Sequence, residues 1–224
     1  MARSVHENGP SLSQTAPISG PIVSRVFAGL PPSGAGQRIG LYGGSFNPAH
    51  VGHRQVSLIA LQRLQLDVVW WLVTPGNPLK DTHALPPLAA RMAAAACIAR
   101  HPRLVITGVE AEFGTRYSAD LVRQLTMRLA DRRFVWVMGS DSLASFHRWD
   151  RWPAFAASVP IAVVNRPGWL TAPFNAPMAH ALRDWRLPEA AAARLADYRA
   201  PAWIHLTGPR TAAASTTLRS GQER

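Results

Sequence analysis

The sequence predicts an α/β fold: a doubly wound parallel sheet with helices on both faces. Three observations carry this. Short apolar segments alternate with longer stretches of helical spacing. The short segments are near-continuously hydrophobic, as strands buried on both faces must be. Glycines and polar residues cluster just after them, where ligands of such sheets bind.

The elements follow in order. Arg38–Gly43 reads as a short strand ending in glycines. Val51–Leu66 has helical apolar spacing through Val56, Ile59, Ala60 and Leu64. Val68–Val73 is a continuous apolar run and therefore a buried strand. Leu88–Arg100 is helical and alanine-rich, and Leu104–Thr107 is strand-like. Ser118 is expected to cap a helix running to about Leu129, with Asp120 in its first turn. Phe134–Met138 and Ile161–Val164 are strands. Ala179–Tyr198 is helical with an interruption at Pro188. Trp203–Leu206 is a strand, and a last helix starts near Ser215. Trp70, Trp71 and Trp136 lie in strands and are expected in the core.

The 224 residues suffice for one such domain and an appendage. Residues 1–37 are rich in Ser, Pro and Gly and read as a mostly disordered extension, leaving 38–224 as the domain. Arg3 and Arg25 with Glu7 give that extension a faint likeness to a transit peptide, but no compact apolar stretch of a secretory signal follows. No apolar run approaches the ~20 residues that a membrane span needs. With 24 basic and 13 acidic residues the net charge is +11, which suits polyanionic partners. The basic residues are scattered without a stripe, so a nucleic-acid partner is not expected. The single cysteine, Cys97, excludes a disulfide within the chain and points to a reducing compartment, the cytoplasm. Its alanine-rich surroundings predict core packing.

The chemistry concentrates in Gly43-Gly44-Ser45-Phe46-Asn47-Pro48-Ala49-His50-Val51-Gly52-His53, between the first strand and the first helix. Gly43 and Gly44 let the backbone approach a ligand, and their N–H groups with the helix N-terminus form an anion site. His50 and His53, three apart, share one helix face there. Two imidazoles beside an anion site can donate to phosphate oxygens. A zinc site would need a third ligand, and none follows at suitable spacing.

This segment resembles the HxGH signature of the nucleotidyltransferase superfamily, whose adenylyltransferases read close to GG-S/T-F-D/N-P-x-H-x-G-H. A second element of that superfamily, S-T-x-I/L-R, is matched by Ser215-Thr216-Thr217-Leu218-Arg219. Three middle segments, Thr74–Lys80, Gly114–Ser118 and Met138–Leu143 running into Phe146-His147-Arg148-Trp149, are similar to bacterial nicotinate-nucleotide adenylyltransferases. The likeness covers nearly all of residues 38–220.

The resemblance implies a Rossmann-like fold and adenylyl transfer from ATP to nicotinate mononucleotide. It implies that His50, His53 and Arg219 are catalytic. Gly43, Gly44, Ser45, Phe46, Gly139, Asp141, Ser215 and Thr216 would bind ATP. Lys80, Ser118, Trp149 and Arg166 would bind the mononucleotide. Mg²⁺ would ride mainly on the ATP phosphates, with no protein metal cage. Asn47 departs from the aspartate frequent at its position and cannot act as a carboxylate base or metal ligand. On residue type alone Asp141 fits a helix start, Lys80 a solvated loop, and Trp149 and Trp152 packing.

Two further readings stay open from sequence. One is a small nucleotidyltransferase with phosphopantetheine or nicotinamide mononucleotide as acceptor. The other is a non-catalytic nucleotide- or RNA-binding protein of the same fold. A homo-oligomer is compatible with either.

Overall fold

The computed structural model describes residues 24–76, 85–165 and 176–208. Among them are strands β1 Arg25–Phe27, β2 Arg38–Gly44, β3 Val68–Val73, β4 Leu104–Thr107, β5 Arg133–Gly139, β6 Ile161–Val164 and β7 Trp203–Leu206. The helices are α1 Val51–Arg63, α2 Leu88–Ala99, α3 Val109–Glu112, α4 Ser118–Arg128, α5 Ser140–Phe146, α6 Trp152–Ala156 and α7 Pro177–Ala181. The strands form one parallel sheet in the order β1-β4-β3-β2-β5-β6-β7.

Alternation along each strand divides the core into two layers. Val69, Trp71 and Val73 of β3 join Val56 and Ala60 of α1, Met92 and Ala95 of α2, and Leu195 on one face. Val68, Trp70 and Leu72 join Leu121 and Leu125 of α4, Phe146 of α5, Phe155 of α6 and Met178 of α7 on the other. All six residues of β3 are buried, which explains its unbroken apolar run. Trp70, Trp71 and Trp136 are core residues as expected, none more than 1% exposed. Burying one indole contributes roughly 4–6 kcal/mol before the entropy of ordering it.

The strand order reverses at β2. One wing runs β2-β3-β4-β1, the other β2-β5-β6-β7. The carboxyl ends of β2 and β5 therefore flank a switch point, where crossover connections leave in opposite directions and open a crevice.

Four expectations need correction. Residues 24–37 belong to the fold and not to an extension. Arg25–Phe27 pairs with Val105–Thr107, the Thr107 hydroxyl donates to Gly29, and the Leu30 N–H donates to the Glu112 carboxylate at 2.6 Å. A three-residue strand is too short to show periodicity.

Helix α4 begins at Ser118 but is capped by Tyr117, whose backbone is extended, and no side chain bonds at the cap. Ser118 is its first helical residue, so its hydroxyl does not cap.

The stretch 179–198, expected helical apart from the interruption at Pro188, is α-helical only at its start. A 3-10 turn, Arg183–Trp185, follows α7, and a longer 3-10 segment spans Glu189–Asp197. Pro188 disfavours helix at Leu187, whose N–H instead donates to Trp203 of β7.

Cys97 is exposed. Helix α2 buries Met92, Ala95 and Ala99, and Cys97 falls on another side. The final helix expected near Ser215 lies outside the described residues.

Candidate active site

β2 delivers Gly43 and Gly44 to the crevice, paired with Leu72 and Val73 of β3. A Cβ on Gly43 would lie 2.7 Å from the Trp136 ring, so glycine is what lets that indole pack beneath the corner. The chain then turns at Phe46, whose φ of 47° lies in the left-handed region. Such a backbone costs a non-glycine residue of order 1 kcal/mol. Burial offsets it: Phe46 is 2% exposed and stacks on Trp71 at 4.8 Å, the rings 6° apart.

His50 is the N-cap of α1 and His53 its third residue. Their ring centroids are 3.8 Å apart. The His50 N–H donates to Nδ1 of His53 at 3.1 Å, so the pair builds a capping box usually made from Ser and Glu. A Cβ on Gly52 would press to 3.0 Å from the His50 ring. His53 also lies 4.9 Å from the Phe46 ring and 5.9 Å from Tyr42. Behind it, Trp71 Nε1 donates to Ser57 Oγ at 2.7 Å, and that hydroxyl donates to the His53 carbonyl at 2.9 Å.

This corner opens into a cleft of about 850 Å³ between the two wings. Ser45, Phe46, Asn47, His50 and His53 line it, together with Ser118, Asp141 and Trp149. Asp141 sits in the first turn of α5, for which Gly139 is the N-cap. Gly139 shapes that turn without lining the cleft. Trp149 is half-buried against Phe146 at 5.1 Å and meets Trp136 edge-on at 5.9 Å and 89°. It is both a packing residue and part of the cleft wall. Trp152 only packs, at 6.0 Å from Phe146.

Sequence reasoning missed four charged residues of the cleft wall: Glu110, Arg116, Arg148 and Asp150. Arg116 and Arg148 are exposed cations at its margin. Glu110, in α3, is 6% exposed. Desolvation pushes its carboxyl up to about 7, opposed by a hydrogen bond with the Thr74 side chain. The signal was available, because Glu110 lies just past the carboxyl end of β4, where such sheets place ligands.

Lys80, Arg166, Ser215, Thr216 and Arg219 lie outside the described residues. Among the described residues no group of three His, Cys, Asp or Glu side chains could hold a metal ion. No helix among them is long and apolar enough to cross a membrane.

A glycine turn leading to paired histidines at the switch point of a doubly wound sheet defines the class: an α/β nucleotidyltransferase of the HxGH kind. Comparison with known proteins agrees. The cytidylyltransferase-like family model matches residues 41–219. A relative from a Bradyrhizobium species, named "Probable nicotinate-nucleotide adenylyltransferase", is 57% identical over 183 residues, covering 82% of this chain and 95% of its own. One of the same name from Methylorubrum extorquens is 55% identical over 184 residues, covering 82% and 99%. A solved Plasmodium falciparum nicotinic acid mononucleotide adenylyltransferase, complexed with NaAD, shares the fold at a TM-score of 0.59. It is 14% identical and covers 80% of this chain and 79% of its own. The chain belongs to the nicotinate-nucleotide adenylyltransferase group of the cytidylyltransferase-like family.

Proposed function

We propose that this protein transfers the adenylyl group of ATP to the 5′-phosphate of nicotinate mononucleotide, releasing pyrophosphate and forming deamido-NAD for NAD biosynthesis. One observation carries the reading. A single cleft joins a histidine–glycine corner suited to phosphates to an aromatic wall, Trp149, suited to a pyridine ring. The relatives in the same family carry the corresponding name.

The nucleophile is already a phosphate oxyanion, so no strong general base is required. The difficulty is to bring two polyanions together, and catalysis rests on positioning and charge stabilisation. His50 and His53 donate to the ATP phosphates, beside the N–H groups of the Gly43–Phe46 turn. Asp141 faces the adenosine ribose. Trp149 stacks on the pyridine, and Ser118 with neighbouring N–H groups receives its carboxylate. Lys80 and Arg166 serve the mononucleotide, and Ser215, Thr216 and Arg219 the triphosphate.

The described donors suit Mg²⁺ carried by the phosphates. The wall offers a neutral amide at Asn47, and among the described residues no group of three His, Cys, Asp or Glu could hold the ion. When bound, the ion neutralises phosphate charge. The reaction belongs to the cytoplasm on this reading.

The test is pyrophosphate release from ATP with nicotinate mononucleotide, nicotinamide mononucleotide or pantetheine phosphate as acceptor. Preference for the nicotinate compound is expected. Release with none of the three would refute the assignment, and preference for another acceptor would move it within the class.

A further inference from the structure

Arg91, in the first turn of α2, is 3% exposed and lies behind the cleft wall. Among the described residues its guanidinium donates to main-chain carbonyls. Nη1 reaches Ser45 O at 2.8 Å and Thr74 O at 2.8 Å, Nε reaches Pro86 O at 2.9 Å, and Nη2 reaches Pro75 O at 3.3 Å. Ser45 lies in the turn after β2, and Thr74 and Pro75 lie in the turn after β3. One planar fork therefore ties both turns to the start of α2.

The peptide geometry gives this contact a direction. The Ser45–Phe46 and Pro75–Gly76 bonds are trans. In a trans peptide the C=O and the next N–H point opposite ways. With the Ser45 carbonyl held toward Arg91, the Phe46 N–H points away from it. The same holds for Pro75 and the Gly76 N–H. Ser45, Phe46 and Gly76 all line the cleft, whereas Arg91 does not. No carboxylate among the described residues forms an ion pair with Arg91. The carbonyl contacts hold the buried guanidinium close behind that wall.

We propose that Arg91 is a positioning residue of the phosphate site, aiming the Phe46 and Gly76 N–H groups at the nucleotide and placing a buried cation behind them. The proposal rests on the adenylyl-transfer reading and names the device that orients its phosphate turn. Lysine cannot replace it, because an ammonium has no planar fork to span carbonyls of three segments.

The test compares full-length wild type with Arg91→Lys and Arg91→Met. It measures pyrophosphate affinity by calorimetry and steady-state KM for each substrate. Losing charge-assisted hydrogen bonds at such a site corresponds to ~10-fold or more in affinity. Arg91→Lys should weaken pyrophosphate binding and raise KM for ATP by that factor, with KM for nicotinate mononucleotide within about twofold. Arg91→Met, which loses the charge too, should be worse. A purely structural role would lower Tm without splitting the two KM values. Wild-type affinities in a folded Arg91→Lys protein would overturn the proposal, as would equal rises in both KM values. Wild type that binds pyrophosphate but adenylylates nothing would sink the functional reading, and the calorimetric comparison would still decide Arg91.

Discussion

The backbone N–H of His50 donates to Nδ1 of His53, whose ring lies 3.8 Å away. Nδ1 of His53 is therefore an acceptor, and a neutral His53 carries its proton on Nε2. The same contact that caps the helix leaves Nε2–H as the one ring N–H with which His53 can donate to a ligand.

From this follows the first prediction. His53→Ala removes both the donor and the cap, so kcat should fall by ~10² or more and Tm should fall with it. His50→Ala keeps the N–H to His53, since the backbone supplies it. Its kcat should fall similarly with a smaller loss of Tm. A near-normal kcat in folded His50→Ala protein would remove the donor role.

Trp149 touches Phe146 and Trp136 on one side and the cleft on the other. Trp149→Ala should raise KM for the mononucleotide ~10-fold while KM for ATP changes little, as expected for loss of a stacking surface. Trp149→Phe should recover most of that loss. Equal effects on both substrates would assign the residue to packing alone.

Glu110 should make stability depend on pH. Its folded pKa of about 7 exceeds the ordinary 4.5 because burial disfavours the carboxylate. Between these values the native state holds a proton that the unfolded chain has released. Stability then falls as pH rises from about 4.5 to 7 and levels off above, with a total on the order of 3 kcal/mol. Glu110→Gln removes this pH dependence. Wild type should lose several degrees more of Tm than the variant between pH 5 and 8. Parallel Tm profiles for the two proteins would show that Glu110 titrates normally.

Gly43→Ala should be costly, because its Cβ would meet Trp136 at 2.7 Å and that indole is fully buried. The expected loss is ~1–3 kcal/mol with weakened ATP binding. Gly34→Ala is the control, since its Cβ would meet nothing within 4 Å. Equal tolerance at both sites would mean that the corner repacks freely.

Long buried strands and the glycine–histidine segment were legible because their patterns are local. Val68–Val73 and Leu104–Thr107 match to the residue, and β2 and β5 to within one residue at each end. What was not legible depends on distant partners. β1 is defined by its neighbour β4, and the 3-10 segment after Pro188 by Leu187 joining β7. Arg91 looks like a helix-surface arginine until three other segments converge on it. Ser118 fits a capping pattern, yet the extended residue is Tyr117. For β1, the segment after Pro188 and Arg91, a tertiary contact overrode a local preference.

The placement of β2 between β3 and β5 has a consequence for the newborn chain. The wing holding β1 to β4 is complete once residue 107 has been synthesised, but β2 then shows a bare apolar edge. Its partner, β5, does not end until Gly139. During that interval the half-built sheet offers a template to other chains. Damage that delays α4 or β5, such as a rare-codon pause or a destabilising substitution there, should therefore appear as aggregation in the cell before it appears as lost catalysis.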